Sequence, residues 1–456
     1  MSRYDTALKY FNEQREETEA RIKNGIEQYR KGRAKITVKG ADGKPVSGAK
    51  IKAVHKKHEF KFGANIFMLD EFENEEKNGI YREKFPELFN LATLPFYWKT
   101  LETPKGVYRF GKDSCKIYRR PAIDLCIEYC TQKGIEPKAH CLNYDFFRPA
   151  WLKDAEIDEH KKALEEHFRI LAERYADVIP SWEVTNETFN ETFAREAFLD
   201  KYYSRFYRQK DFNEWSFRTA DKYFPNNHLI INDHLDFGCM RSLHGEFFGQ
   251  RSPYYMEIER MQSYGVHHLD AIGFQYHCFF KKELESELAV TRYNPGHIFD
   301  VLDTYALLGK KLQITEMTVS AFGGEAEDEE VQAELMRNLY SVFFCHPAME
   351  AIVYWNVVDG YASGGKPGDM SLGENVYYGA LCRFDMSEKP AYKVLRKLIR
   401  EEWHTEAETV TDEYGKASFR GFYGDYDAEI IYDGRVYTKP IKLSAYKKNE
   451  IEIELQ

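Results

Sequence analysis

Between residues 59 and about 402 the chain alternates strand-like and helix-like segments eight times over. The strand candidates are Glu59–Ile66, Leu91–Tyr97, Glu136–Asn143, Val178–Asn186, His228–Asp233, Leu269–Tyr276, Lys311–Glu316 and Ala351–Val357. Helix-like stretches such as 155–176, 201–223, 327–345 and 390–402 fill the gaps. Eight such units over this length predict an α/β fold of the (β/α)8 barrel type rather than an open sheet. No G-x-G-x-x-G follows a strand, which removes the main reason to expect a dinucleotide fold.

The flanks have a different character. Residues 1–33 are highly charged, with Leu8, Phe11, Ile22 and Ile26 as sparse apolar points, and predict a surface helix lying on something larger. Residues 34–58 alternate β-branched and polar positions around Asp42-Gly43, which predicts a hairpin. Two strands cannot bury a core alone. Alternation and turns return over 403–456, in Thr411-Asp412-Glu413-Tyr414-Gly415 and in Phe419-Arg420-Gly421-Phe422-Tyr423-Gly424-Asp425-Tyr426. The two pieces together resemble a small transthyretin-like or carboxypeptidase-regulatory-like β-sandwich. That resemblance implies an accessory sandwich, formed by the N- and C-terminal segments, with the barrel of 59–402 inserted into it.

Composition narrows the partners. A net charge of −10 argues against nucleic acid and against an anionic membrane. Tyr and Phe, at 32 each, suit the stacking of sugar rings, although most must serve packing. The eight cysteines, at 115, 126, 130, 141, 239, 278, 345 and 382, form no C-x-x-C and no dense disulfide framework. Cys126 and Cys141 lie in apolar runs, as buried thiols do. With no apolar signal core after Met1 and no run of membrane-spanning length, a reducing cytoplasm is expected, or secretion if a leader has been removed.

In a barrel, polar residues at strand carboxyl ends face the active site. Here they are His140 on the third strand, Asn186 and Glu187 on the fourth, and Asn232 and Asp233 on the fifth. Gln275 and His277 follow on the sixth, Glu316 on the seventh, and Trp355 and Asp359 on the eighth. Two carboxylates, amide and imidazole donors and a tryptophan platform make a glycosidase site, with no metal cluster, no phosphate loop and no cofactor. Glycosidic cleavage needs a proton for the leaving oxygen and stabilisation of an oxocarbenium-like transition state; retaining enzymes set the two carboxyls about 5–5.5 Å apart. The acid must keep its proton near neutrality through partial burial and a neighbouring carboxylate. Trp98 and Tyr144 are candidate sugar platforms. Asp233 and Asp359 read as loop-bonding residues, and Glu183, which follows Trp182 on its strand, as structural.

These motifs resemble glycoside hydrolase family 10, whose best-known members are endo-β-1,4-xylanases. The family's W-D-V-V-N-E is similar to Trp182-Glu183-Val184-Thr185-Asn186-Glu187, and its I-T-E to Ile314-Thr315-Glu316. Y-I-N-D resembles Ile230-Ile231-Asn232-Asp233; G-F-Q-x-H resembles Gly273-Phe274-Gln275-Tyr276-His277. The strand-three histidine corresponds to His140, W-G-V-x-D to Trp355-Asn356-Val357-Val358-Asp359, and K-P-A-Y recurs at Lys389–Tyr392. The resemblance implies Glu187 as acid/base and Glu316 as nucleophile. Asn186 would hold the sugar 2-hydroxyl and His277 would contact the nucleophile, with His140 and Gln275 lining the same subsite.

The chain departs from the family in strand two, where E-N-x-M-K-W is replaced by Leu94-Pro95-Phe96-Tyr97-Trp98-Lys99. H-T-L-V-W-H has become His140-Cys141-Leu142-Asn143-Tyr144-Asp145, and Ala362-Ser363-Gly364-Gly365 stands where a second tryptophan would follow strand eight. The cleavage subsite is kept and its neighbour rebuilt. The expected function is retaining hydrolysis of a β-glycosidic bond in xylan, a xylooligosaccharide or a related plant glycan, by double displacement. Two alternatives stay open: an exo-acting β-glycosidase on a small or decorated glycoside, and a non-catalytic carbohydrate-binding protein.

Overall fold

The structure, a computed structural model, describes residues 2–189, 201–234, 237 and 248–455. Its strands are β1 (Lys31–Gly40), β2 (Lys50–His58), β3 (Lys61–Asn65), β4 (Leu91–Pro95), β5 (Glu136–His140), β6 (Ser181–Asn186), β7 (His228–Asp233) and β8 (Ala271–His277). They continue with β9 (Lys311–Thr318), β10 (Met349–Tyr354), β11 (Glu406–Val410), β12 (Lys416–Phe422), β13 (Gly424–Tyr432), β14 (Arg435–Leu443) and β15 (Glu450–Leu455).

Strands β3 to β10 pair in sequence order, all parallel, and β10 returns to β3 to close the barrel. Every residue of β4 and of β6 is buried, as expected of strands covered on both faces. One face fills the barrel and the other meets the helices. The helix Ile157–Tyr175 shows how the outer layer is held: Leu164, Phe168, Leu171 and Tyr175 recur at helical spacing and are buried on the barrel side. Each such side chain contributes about 1.5–3 kcal/mol. Inside, small or polar residues are admitted where neighbours bond beside them. A Cβ on Gly273 would lie 2.6 Å from Thr315 Cγ2 and 2.9 Å from Asn232 Oδ1, two side chains that are hydrogen-bonded to each other.

The flanking segments form two further sheets. One has the order β12-β1-β15, and the other β11-β2-β13-β14. Their inner faces bury Ile36, Val38, Ile51, Phe419, Ala428, Ile430, Leu443 and Ile453 in a core separate from that of the barrel. The hairpin expected over 34–58 does not form. β1 and β2 lie in different sheets, and the Asp42-Gly43 turn closes only a short return, with Gly40 N–H to the Lys44 carbonyl at 2.9 Å, Val46 N–H to the Val38 carbonyl at 3.0 Å and a bridge from Lys39 to Pro45. The reason is partner choice: β1 finds β12 antiparallel and β15 parallel, so both its edges are taken by the other end of the chain. Of the aromatics in this stretch, Phe419, Phe422 and Tyr426 are buried and Tyr423 is half-buried.

The N-terminal helix is three segments, Arg3–Ala7, Lys9–Glu13 and Arg15–Tyr29, and it is less solvated than its charge suggests. Arg3 is buried, paired with Glu285 at 2.9 Å and donating to the carbonyls of Asp328 and Ser320 at 2.7 and 2.8 Å. Gly25 sits where a Cβ would come within 2.5 Å of the Cys345 carbonyl oxygen, so the helix lies directly on the barrel. The cysteines at 115, 126, 130, 141, 278, 345 and 382 are free thiols, with Cys126 and Cys141 buried; Cys239 lies outside the described residues. No described helix is long and apolar enough to cross a membrane.

Candidate active site

A cavity of about 390 Å³ opens at the carboxyl ends of the barrel strands. His140, Tyr144, Asn186, Glu187, Gln275, His277, Glu316 and Trp355 all line it. Two register shifts aim these side chains. One in the β6–β7 ladder, between Glu183 and Thr185, sets Asn186 opposite Asn232; another, between Phe274 and Gln275, sets Gln275 opposite Glu316. Bulges of this kind re-aim side chains beside active sites.

Glu187 follows the last residue of β6 and takes φ +53°, a region sparsely populated by residues with a Cβ. Its backbone is over-determined there, since Glu187 N–H donates to the Asn232 carbonyl and its own carbonyl accepts from the Tyr207 hydroxyl, both at 3.1 Å. Its carboxylate accepts from the Tyr144 hydroxyl at 2.5 Å and from Gln275 Nε2 at 3.0 Å. Gln275 Nε2 also reaches Asn186 Oδ1 at 3.2 Å, which accepts in turn from Asn232 Nδ2 at 2.7 Å. That same Asn232 nitrogen donates to Glu316 Oε1 at 3.0 Å. A continuous chain of amides therefore joins the two carboxylates. Asn186 is 2% exposed, and its Nδ2 has no partner among the described residues.

Glu316 is held from several sides. His277 Nε2 lies 3.2 Å from Oε2, while His277 Nδ1 meets the Thr318 hydroxyl at 3.1 Å. Burial keeps His277 down at about 4, so it is neutral and bridges Thr318 and Glu316 without a charge of its own. Burial, reinforced by the charges of Glu183 and Glu187, pushes Glu316 up to about 8, against the pull of His140 and Asn232. The two cavity carboxyls are coupled, because a proton on Glu187 removes one of the charges that raise Glu316.

Beneath them lies a residue that sequence reasoning set aside. Glu183 does point away from Trp182, but that direction is the barrel interior, where it binds Lys138 Nζ and His140 Nδ1, each at 2.5 Å. Burial would raise it, yet Lys138 and His140 outweigh burial and hold it down at about 2. Burial opposes charge on His140, but Glu183 and then Glu316 overcome it and keep the imidazole above its ordinary range. His140, Glu183 and Glu316 also have ligand atoms within 4.8 Å of one another. Lys138 Nζ, 2.5 Å from Glu183 Oε1, already occupies one side of that trio.

One expected site residue lies elsewhere. Trp98 does not line the cavity: it is buried, its indole N–H donates to Glu102 at 2.6 Å, and it stacks on His167 with ring centroids 4.4 Å apart. It begins a one-turn helix after β4, which rotates it away; Tyr97, one residue earlier, faces the cavity instead. Trp355 follows β10, its carbonyl held by Asn65 and its ring edge-on to Phe67 at 5.4 Å. Asp233 accepts the backbone N–H groups of Phe189 and His234 at 2.9 Å each, and Asp359 takes Lys389 at 2.5 Å. The wall also contains Phe67, Arg119, Arg120, His234, Arg292 and Glu374, none of them foreseen from strand ends.

The family model for glycosyl hydrolase family 10 matches residues 53–397. The chain belongs to that family. This family 10 chain is 23% identical over 417 residues to the anti-sigma-I factor RsgI6 of Acetivibrio thermocellus, covering 90% of the chain and 46% of the relative. It is 24% identical over 300 residues to endo-1,4-beta-xylanase B of Neocallimastix patriciarum, covering 66% and 30%. It thus spans less than half the length of either relative. The fold is that of xylanase 10B from Thermotoga petrophila RKU-1, solved in complex with xylobiose: TM-score 0.56 at 21% identity, over 75% of this chain and 95% of that one.

Proposed function

We propose that this family 10 chain is a retaining glycoside hydrolase that cleaves a β-glycosidic bond in xylan, a xylooligosaccharide or a related plant glycan. The observation that carries the reading is the amide chain from Glu187 through Gln275, Asn186 and Asn232 to Glu316, which fixes two carboxyls at one cavity. Glu316 attacks the anomeric carbon while Glu187 gives its proton to the leaving oxygen; the C–O bond breaks as the Glu316–C1 bond forms. Water then attacks C1, Glu187 takes back a proton, and Glu316 leaves with its electron pair. Asn186 Nδ2, buried and without a partner among the described residues, would meet a sugar hydroxyl, and His277 and Asn232 the nucleophile's oxygens. Tyr144, Gln275, His140 and Trp355 complete the proposed subsite.

The test is the configuration of the first sugar released, followed by proton NMR. β-Product is expected, and Glu316→Gln should abolish its formation. First-formed α-product, or full activity in that variant, would overturn the reading. A carbohydrate-binding protein without turnover would need neither carboxyl, whereas both glutamates are hydrogen-bonded at one cavity.

A further inference from the structure

Arg119, Arg120 and Arg292 line the same cavity, and among the described residues none of the three forms an ion pair. Desolvating a cation without a counter-charge is costly, so a folded wall that does this needs an explanation. Arg119 is 6% exposed, and its Nη1 reaches only neutral partners, Asn356 Oδ1 at 3.3 Å and the Tyr361 carbonyl. It takes φ +61°, an uncommon conformation that sends two consecutive arginines to one wall. Arg120 donates from Nη1 to the Arg119 carbonyl at 2.8 Å, and its buried Nε has no partner among the described residues. Its guanidinium lies over the Tyr97 ring, 3.9 Å from the centroid, and burial pulls it down to about 10, which leaves it charged at neutral pH. Arg292 Nη1 is likewise buried and without a partner among the described residues. Besides the two proposed catalytic glutamates, the lining acid is Glu374, which already accepts from Asn356 Nδ2 at 2.9 Å and from Ser363 N–H at 3.4 Å.

The arginine pair stands close to the chemistry. Tyr97, under Arg120, packs edge-on to His140 at 5.1 Å, and His140 Nδ1 is 3.9 Å from Glu316. One aromatic ring separates Arg120 from the histidine beside the proposed nucleophile. A neutral sugar asks for hydroxyl partners and an aromatic face, which Asn186, Gln275, His140 and Trp355 supply; it gives a guanidinium nothing to neutralise. A carboxylate does, and the planar arginine fork matches it with paired hydrogen bonds. We propose that the sugar on this side of the cleaved bond carries a carboxylate, as a uronic acid does, and that Arg119 and Arg120 select it. The assignment rests on the hydrolase reading above.

The test uses the full chain and matched aryl β-glycosides. One pair is 4-nitrophenyl β-glucuronide against the β-glucoside; the other is an aryl xylobioside with and without a glucuronic acid branch. In at least one pair the acidic member should be favoured about 10- to 100-fold in kcat/KM, the value of one charged hydrogen-bonded contact. Added salt should erode that ratio. Arg120→Gln should bring it towards unity, and Arg120→Lys, which keeps charge without the fork, should leave it intermediate. If Arg120→Gln fails to fold, the wild-type ratio and its salt dependence decide. Equal or better turnover of the neutral member in both pairs overturns the assignment, as does preference for a 6-sulfated glucoside over the glucuronide. If no glycoside is turned over, the hydrolase reading fails separately, and the same pairs are compared as ligands by calorimetry. Tighter binding of the acidic member then supports the arginine site, and equal binding overturns it.

Discussion

Glu183 Oε2 holds His140 Nδ1 at 2.5 Å, and the same ring nitrogen lies 3.9 Å from Glu316 Oε1. A buried acid with no access to the cavity thereby sets the charge of the group beside the proposed nucleophile. Its other oxygen pairs with Lys138, and both side chains of that pair are essentially inaccessible.

Glu183→Gln leaves the Lys138 ammonium buried without its counter-charge. The expected loss is about 3–5 kcal/mol, the cost of breaking a buried pair from one side. Urea or thermal unfolding measures it, and Glu183→Gln combined with Lys138→Met should recover much of the loss. An unchanged midpoint for the single variant would contradict the role.

The coupling between the cavity carboxyls gives a pH prediction with a definite sign. Glu316 is raised chiefly by burial and then by the charges of Glu183 and Glu187. A nucleophile must shed its proton, so activity rises with pH as Glu316 ionises. Glu187→Gln removes one raising charge and should move that acidic limb to lower pH. A 2,4-dinitrophenyl glycoside, whose leaving group needs no acid, reports it cleanly. A limb that stays put or moves upward would count against the coupling.

The same raised group bears on stability. A carboxyl whose folded-state value lies above its unfolded one contributes stability below the unfolded value and loses it as pH rises through the folded one, here about 8. Glu316→Gln abolishes that loss. Its Tm should exceed that of the wild type, and the gap should widen from mildly acidic to mildly alkaline buffer. A gap that narrows over this range would refute the assignment.

Tyr144→Phe deletes the 2.5 Å donor to Glu187 and little else. A hydrogen bond to a charged group is worth about 1.5–3 kcal/mol, so kcat/KM on a poor leaving group should fall about 10- to 100-fold. An activated aryl glycoside, which does not wait for proton transfer, should be affected far less. Equal losses on both substrates would place Tyr144 in sugar binding instead.

The barrel was legible because its signal is local and repeated: each candidate strand from Glu59–Ile66 to Ala351–Val357 overlaps one of β3 to β10. Strand ends then brought Asn186, Glu187, Gln275, His277 and Glu316 to one cavity, since parity and the barrel's polarity fix where such residues point. The loops obey no such period. Trp98 and Tyr97 exchanged places because one helical turn after β4 rotates successive side chains far apart. Arg119 and Arg120 reach the wall through a left-handed backbone and through contacts with Tyr361 and Tyr97, far from them in sequence. Asp42-Gly43 signalled a turn correctly but could not say what β1 and β2 would pair with.

Strand β1 lies between β12 and β15, and both come from the far end of the chain. During synthesis it therefore leaves the ribosome with two bare hydrogen-bonding edges, and its second partner is complete only once residue 455 has emerged. The barrel residues are all made in the interval. The nascent chain must carry an open β-edge through most of its translation, the stage at which strand-to-strand aggregation and chaperone capture compete with folding.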